Sequence, residues 1–235
     1  MTKKMQKFWL IIINSITLVR LIGALALPFI FYYKGASICA IWTIVFFLTD
    51  MIDGTLARTL KLSTFFGAGL DAACDKLLNT IAFIILGIQY KIMLVPLILE
   101  VAILYTTYST YRYGGNLQTS QIGKIKTIFL DVLVIICFIL IGLPTLELNI
   151  GFINHLITYT DVYIQIFSCI IITLSFITLY NYMIKNNDAR KHPEAIKKKL
   201  KKKKLKTKDE ILSFAFDTEY YQKHKNESAL SQFYK

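Results

Sequence analysis

Long apolar runs alternate with short polar breaks along this chain, and the breaks set the predicted elements. A first span is predicted from about Ile16 to Tyr33, closed by a Lys34-Gly35 turn. A second runs from Ala36 through Leu48 and continues, more polar, to Arg58. After a Thr59–Phe66 loop, a third helix is predicted from about Gly67 to Tyr90, and a fourth from Ile92 to about Arg112. Tyr113–Ile122 is polar and carries glycines, so it is expected as a loop. A fifth helix is predicted from Gly123 to Ile141, stopped by Gly142 and Pro144, and a sixth from Val162 to Ile184. Residues 145–160 between them are mixed and expected on the outer surface. Segments of roughly 20 apolar residues match the ~30 Å hydrocarbon core of a bilayer. Before the first span, Lys3, Lys4 and Lys7 stand beside Phe8, Trp9, Leu10 and Ile11, a mix suited to a helix lying in the membrane interface. The expected architecture is therefore an all-α integral membrane protein with six transmembrane helices. An interfacial amphipathic segment (1–15) precedes the transmembrane domain (16–185), and a basic tail (186–235) follows it.

Composition agrees. Of 235 residues, 55% are hydrophobic and only 18% charged, against about 25% charged in soluble domains. The formal charge of +12 would suit nucleic acid were it spread over a folded surface. Much of it is concentrated in Lys197–Lys206, beyond the last apolar run, and no nucleic-acid reading motif accompanies it, so nucleic acid is not an expected partner. Such a cluster marks the cytoplasmic side and suits anionic lipid headgroups. Lysines and arginines flanking the other spans show the same bias. Lys3, Lys4, Lys7, Arg58, Lys61, Arg112, Lys124, Lys126, Lys185 and Arg190 fall on one side, with only Lys34 and Lys91 opposite. Both termini are expected in the cytoplasm. Asn14 and Arg20 interrupt the first apolar run and no small-residue cleavage pattern follows it, so an uncleaved first helix is expected. Cys39, Cys74, Cys137 and Cys169 lie in apolar surroundings without C-x-x-C spacing and read as small buried hydrophobes. The three histidines are scattered.

One stretch breaks the apolar pattern. Asp50, Asp53, Asp71 and Asp75 lie among Gly54, Ala57, Arg58 and Gly67, where acids cost about 2.5–3.5 kcal/mol each at a helix centre. Asp50 and Asp53 are three apart and share a helix face, as do Asp71 and Asp75, four apart on the next helix. If the two helices are antiparallel neighbours, the pairs face each other and repel unless cations sit among them. Carboxylate oxygens suit Mg²⁺ or Mn²⁺, and two such ions could stabilise both sides of an in-line displacement at phosphorus. Gly54 leaves room for a ligand, and Arg58 offers a planar fork to phosphate. Acids merely salt-bridged on a loop would account for Asp50 and Asp53 alone, but not for the full set. An ion transporter would need acids near the midplane of several helices, and Asp131 is nearly alone in the first, fifth and sixth.

The unbroken pattern D-x2-D-G-x2-A-R-x8-G-x3-D-x3-D (50–75) resembles the signature of the CDP-alcohol phosphatidyltransferases. Asn14, Thr17 and Arg20 resemble that family's N-x-x-T-x-x-R, and the similarity extends over roughly residues 10–185. The resemblance implies six helices with cytoplasmic termini, usually in a homodimer. It also implies attack by an alcohol on the lipid-side phosphorus of CDP-diacylglycerol, with CMP leaving. Carried over by position, Asp50, Asp53 and Asp71 are metal ligands, and Asp75 is the base and a possible second-metal ligand. Asn14, Thr17, Gly54, Ala57, Arg58 and Gly67 line the cytidine diphosphate pocket. Gly123-Lys124-Ile-Lys126-Thr127 resembles the G-K-x-K-T element of members that use glycerol 3-phosphate. Together with Arg112, Lys124 and Lys126 make an expected anion pocket, and sn-glycerol 3-phosphate is the expected acceptor, ahead of phosphatidylglycerol, inositol phosphate or serine. Leu99-Glu100 stands where such members usually have Arg-Glu, and Ala72 where proline is frequent.

Overall fold

The computed structural model describes residues 3–113, 121–148, 150–191 and 214–224, and all of its regular elements are helical. Helix α1 spans Lys3–Lys34, α2 Ala36–Thr59 and α3 Phe65–Gln89; a 3₁₀ turn (Lys91–Met93) leads into α4, Leu94–Arg112. Helix α5 covers Gln121–Gly142, followed by a 3₁₀ turn (Leu143–Leu146), the short α6 (Gly151–Thr158) and the long α7 (Thr160–Lys191). A one-turn-plus helix, α8, covers Thr218–His224. Five helices are long and apolar enough to cross a membrane: α1, α2, α4 with its leading turn, α5 and α7. The other long helix, α3, has 25 residues and carries Asp71, Asp75, Lys76 and Asn79 along its length.

Two differences from the expected elements bear on the site. No break separates an interfacial helix from the first span, since Lys3–Lys34 is one helix running through Asn14. The mixed segment expected on the outer surface after α5 contains α6, and α7 starts two residues before its expected first residue and runs seven beyond its expected last. The Lys197–Lys206 cluster lies outside the described residues.

Burial follows a pattern inverted relative to soluble proteins. On α1, Thr17, Arg20, Ala24 and Leu27 form one buried stripe, while Val19, Ile22 and Phe29 are each more than 65% exposed. A core-facing stripe at i, i+3, i+7, i+10 is ordinary helix periodicity. Large apolar side chains on the outside instead of polar ones are what a lipid solvent selects. The apolar core joins Leu27 of α1, Cys39 and Phe46 of α2, Phe83 and Leu86 of α3, Cys137 and Phe138 of α5, and Ile164 and Ile171 of α7. Helix α1 packs against both α2 and α3, α5 against α2 and α7, and α4 against α7. Gly35, with φ of +82°, makes the reversal between α1 and α2 that few other residues could adopt.

At one end of the bundle the Tyr90 hydroxyl donates to Asp161 Oδ1 (2.7 Å) and the Ser37 hydroxyl to the Gly142 carbonyl (2.9 Å). These bonds tie α3 to α7 and α2 to α5. The acid-bearing ends of α2 and α3 lie at the other end.

Candidate active site

The turn between α2 and α3 sets the positions of the acids. The Leu62 amide donates to the Ala57 carbonyl (2.9 Å) and the Lys61 amide to the Arg58 carbonyl (3.2 Å), which is a Schellman ending of α2. Lys61 occupies the left-handed position (φ 55°) that usually holds glycine, and Leu62 is buried as the accompanying apolar contact. Thr64 then caps α3, its hydroxyl accepting from the Gly67 amide at 3.0 Å. A five-residue connection therefore ends one acid-bearing helix and starts the next.

Asp50, Asp53 and Asp71 each offer a carboxylate oxygen lying within 4.8 Å of the others. Asp53 is buried, while the side chains of Asp50 and Asp71 are 36% and 42% exposed, so the group opens on one side. Asp75 is outside this three-acid group and joins it through Arg20. The Arg20 guanidinium is 2% exposed. It donates to Asp50 Oδ1 and, at 2.5 Å, to Asp71 Oδ1, stands 3.7 Å from Asp75 Oδ1, and its Nε contacts Cys74 Sγ at 3.3 Å. The Thr17 hydroxyl donates to Asp53 Oδ2 at 3.4 Å. The pairs do converge as expected, but α2 and α3 do not simply face each other. Helix α1 lies against both, and one arginine spans the two pairs.

These residues fit a divalent cation. Four carboxylates face one guanidinium, leaving an excess of negative charge. Ligands around Mg²⁺ sit at about 2.0–2.1 Å, so oxygens on one ion are at most about 4.2 Å apart. The three carboxylates, with oxygens within 4.8 Å of one another, lie close to that spacing.

Most residues expected around the nucleotide lie nearby. A Cβ placed on Gly67 would stand 3.2 Å from Asn14 Oδ1 and 3.1 Å from Thr64 Oγ1, so the absence of a side chain there lets Asn14 approach the start of α3. Arg58 is exposed and its Nε donates to the Gly54 carbonyl at 2.9 Å, one turn back along α2. Ala57 is half-buried in the same turn.

The three expected acceptor residues separate. Lys124 and Arg112 are exposed. Lys126 is buried, and its ammonium pairs with Glu100 Oε1 on α4; the other Glu100 oxygen accepts from Lys76 of α3 at 2.7 Å. Lys126 is thus paired with a buried acid in this structure, and its charge is largely balanced there. Glu100 and Lys76 were not singled out from the sequence as site residues, nor was a role given to Arg20. For Arg20 and Glu100 a signal existed, because an ionised residue inside an apolar helix requires a partner. Asp131 and Asn79 line a small cavity with Arg20, Asp50 and Asp75, deeper in the bundle than the three-acid group.

Comparison with known proteins bears directly on this arrangement. The family model described as CDP-alcohol phosphatidyltransferase matches residues 10–167. A CDP-diacylglycerol–glycerol-3-phosphate 3-phosphatidyltransferase of Yersinia enterocolitica is 29% identical over 127 residues, 51% of this chain and 68% of that protein. A protein of the same name from Yersinia pestis is 33% identical over 82 residues, 35% of this chain and 43% of its own length. A phosphatidylinositol phosphate synthase of Mycobacterium marinum is 45% identical over 62 residues, about a quarter of each chain. The family match covers more than half the chain and includes every acid of the cluster together with Arg20. The chain is therefore an integral membrane enzyme that belongs to the CDP-alcohol phosphatidyltransferase family.

Proposed function

We propose that the protein transfers the phosphatidyl group of CDP-diacylglycerol to sn-glycerol 3-phosphate, giving phosphatidylglycerophosphate and CMP. The observation that carries the transfer reaction is the convergence of Asp50, Asp53 and Asp71 on one opening, with Asp75 held beside them by Arg20, and the likeness to the Yersinia enterocolitica protein supports the acceptor. Asp50, Asp53 and Asp71 would hold Mg²⁺ or Mn²⁺, with Asp75 shared by a second ion. Bound there, the metal supplies positive charge to the pyrophosphate and to the departing CMP. Asn14, Thr17, Gly54, Ala57, Arg58 and Gly67 bind and orient the cytidine diphosphate. Asp75 takes the proton from the acceptor hydroxyl as that oxygen bonds to the lipid-side phosphorus. The bond from this phosphorus to the bridging oxygen breaks, and CMP leaves with the electron pair.

Lys124 and Arg112 are the exposed cations that would hold the acceptor's own phosphate, with Lys126 behind them. The charge bias of the loops supports a cytoplasmic position for this opening and both termini, where a water-soluble acceptor would have access. Two copies would associate as a homodimer, and the basic tail would rest on anionic lipids.

A second acceptor, inositol phosphate, is favoured by the likeness to the Mycobacterium marinum protein. Purified protein supplied with CDP-diacylglycerol and separate glycerol 3-phosphate, inositol phosphate, phosphatidylglycerol and serine distinguishes these readings, with lipid product identified by mass. Phosphatidylglycerophosphate is the expected product. Product with inositol phosphate or phosphatidylglycerol alone would overturn the acceptor assignment.

A further inference from the structure

The C-terminal segment docks on the start of the acid-bearing helix. Phe65 and Phe66 open α3. Four aromatic side chains from residues 214–221 pack at this corner, with Phe65 taking most of the contacts and Phe66 and Phe216 remaining partly exposed. Tyr221 lies with its ring centre 4.8 Å from Phe65, Phe214 at 6.1 Å and Tyr220 at 6.2 Å, and Phe216 lies 4.8 Å from Phe66. All four distances fall in the range of about 4.5–7 Å where aromatic rings attract. Phe214 is 8% exposed, so it is seated against protein and not spread on a surface. The segment is also locally built. Asp217 caps α8, accepting from the amides of Glu219 (2.9 Å) and Tyr220 (3.1 Å), and this cap aims Tyr220 and Tyr221 toward the same ring of α3.

We infer that residues 214–224 are a positioning clasp for the catalytic helix, seated on Phe65 and Phe66. Helix α3 begins only at Phe65, after a five-residue connection whose Lys61 adopts the left-handed conformation unfavourable to a side-chain-bearing residue. Asp71 lies six residues on, about 9 Å along the helix axis. A helix start that frays would displace Gly67 and, further on, Asp71, the residues by which α3 meets Asn14 and Arg20 of α1. The aromatic seat adds buried contact at the one end of α3 that carries the reacting groups. The clasp thereby holds the acids in register with α1 and α2. This inference rests on the family's transfer reaction and on the α3 acids serving it, but not on which alcohol accepts.

The test uses the full chain in a Cys169→Ser background, since the other three cysteines are buried. With Phe66→Cys and Phe216→Cys together, a short flexible bis-maleimide is expected to join the two thiols quickly and leave CMP release at the parent rate. Tyr221→Ala combined with Phe214→Ala is expected to lower kcat about tenfold or more, with KM for CDP-diacylglycerol changed by no more than about twofold. Tyr221→Phe is expected to keep parent kcat, and the 66–216 cross-link to restore turnover to the double alanine variant. Failure of the pair to cross-link, or an inactive cross-linked enzyme, would overturn the clasp. So would parent-like kcat in the double alanine variant, or a loss of kcat that cross-linking does not repair. Parent protein releasing no CMP with any acceptor would instead sink the functional reading, while the cross-linking yield would still report whether the segment docks.

Discussion

Arg20 carries much of the site's physical logic. It is a buried cation in a helix otherwise facing lipid and core, and its guanidinium meets acids 30, 51 and 55 positions away in sequence. Removing one partner of a buried ion pair costs about 3–5 kcal/mol because the remaining charges are left uncompensated. Arg20→Met is therefore expected to lower the thermal midpoint in detergent by several degrees and to reduce CMP release at least about a hundredfold. Arg20→Lys cannot span two carboxylates with a planar fork and is expected to fall between. Parent-like stability and rate in Arg20→Met would contradict the bridging role. Gly67→Ala tests the approach of Asn14 to α3. The added methyl would stand 3.1–3.2 Å from two polar oxygens, and KM for CDP-diacylglycerol is expected to rise while the protein remains folded. At this scale the convergence of Asp50, Asp53 and Asp71 was legible, because their spacing is a property of the chain, while the place of Asp75 outside that group was not. The partnership of Arg20 was not, since it depends on α1 coming to lie between α2 and α3.

Among the elements, the boundaries of α2, α3, α4 and α5 were legible to within a few residues because apolar runs end at glycine, proline or charge. The continuity of α1 was not. Asn14 is a weak helix former, but its cost is small beside the helix-favouring apolar turns on either side of it in this 32-residue helix. The Schellman ending of α2 was hidden for a different reason, because lysine and not glycine occupies the left-handed position. Lys61→Gly is expected to raise stability by about 1 kcal/mol, read as a higher thermal midpoint with unchanged CMP release. Between elements, Glu100 joins α4 to Lys76 of α3 and Lys126 of α5. Glu100→Gln leaves a buried ammonium without its counter-charge and is expected to cost about 3–5 kcal/mol. Glu100→Gln together with Lys126→Met removes both charges and is expected to recover much of that loss. A double variant no more stable than Glu100→Gln would show that the pair does not act as a unit.

As a whole molecule, the protein places its polar chemistry at one end of an apolar bundle. The acids that look costly at membrane depth lie in the halves of α2 and α3 nearest the connecting turn, and the group they form opens on one side, which lowers the penalty a closed bilayer centre would impose. The six-run hydropathy pattern made this arrangement legible as a fold class, while the seat of residues 214–224 on α3 depends on ring-to-ring contacts that no periodicity encodes. Orientation is testable with Lys61→Cys and Lys91→Cys in the Cys169→Ser background. A membrane-impermeant thiol reagent is expected to reach position 91 from outside the cell and position 61 only after the membrane is opened. Labelling of both from one side would refute the proposed topology. The central claim is that the acid cluster uses divalent metal to transfer a phosphatidyl group. Its most direct test is CMP release by purified protein with CDP-diacylglycerol and glycerol 3-phosphate, before and after chelation and metal return. The account predicts release that is lost on chelation, restored by Mg²⁺ or Mn²⁺, and nearly abolished in Asp75→Asn. Release unaffected by chelation, or equal in Asp75→Asn and parent, would contradict it.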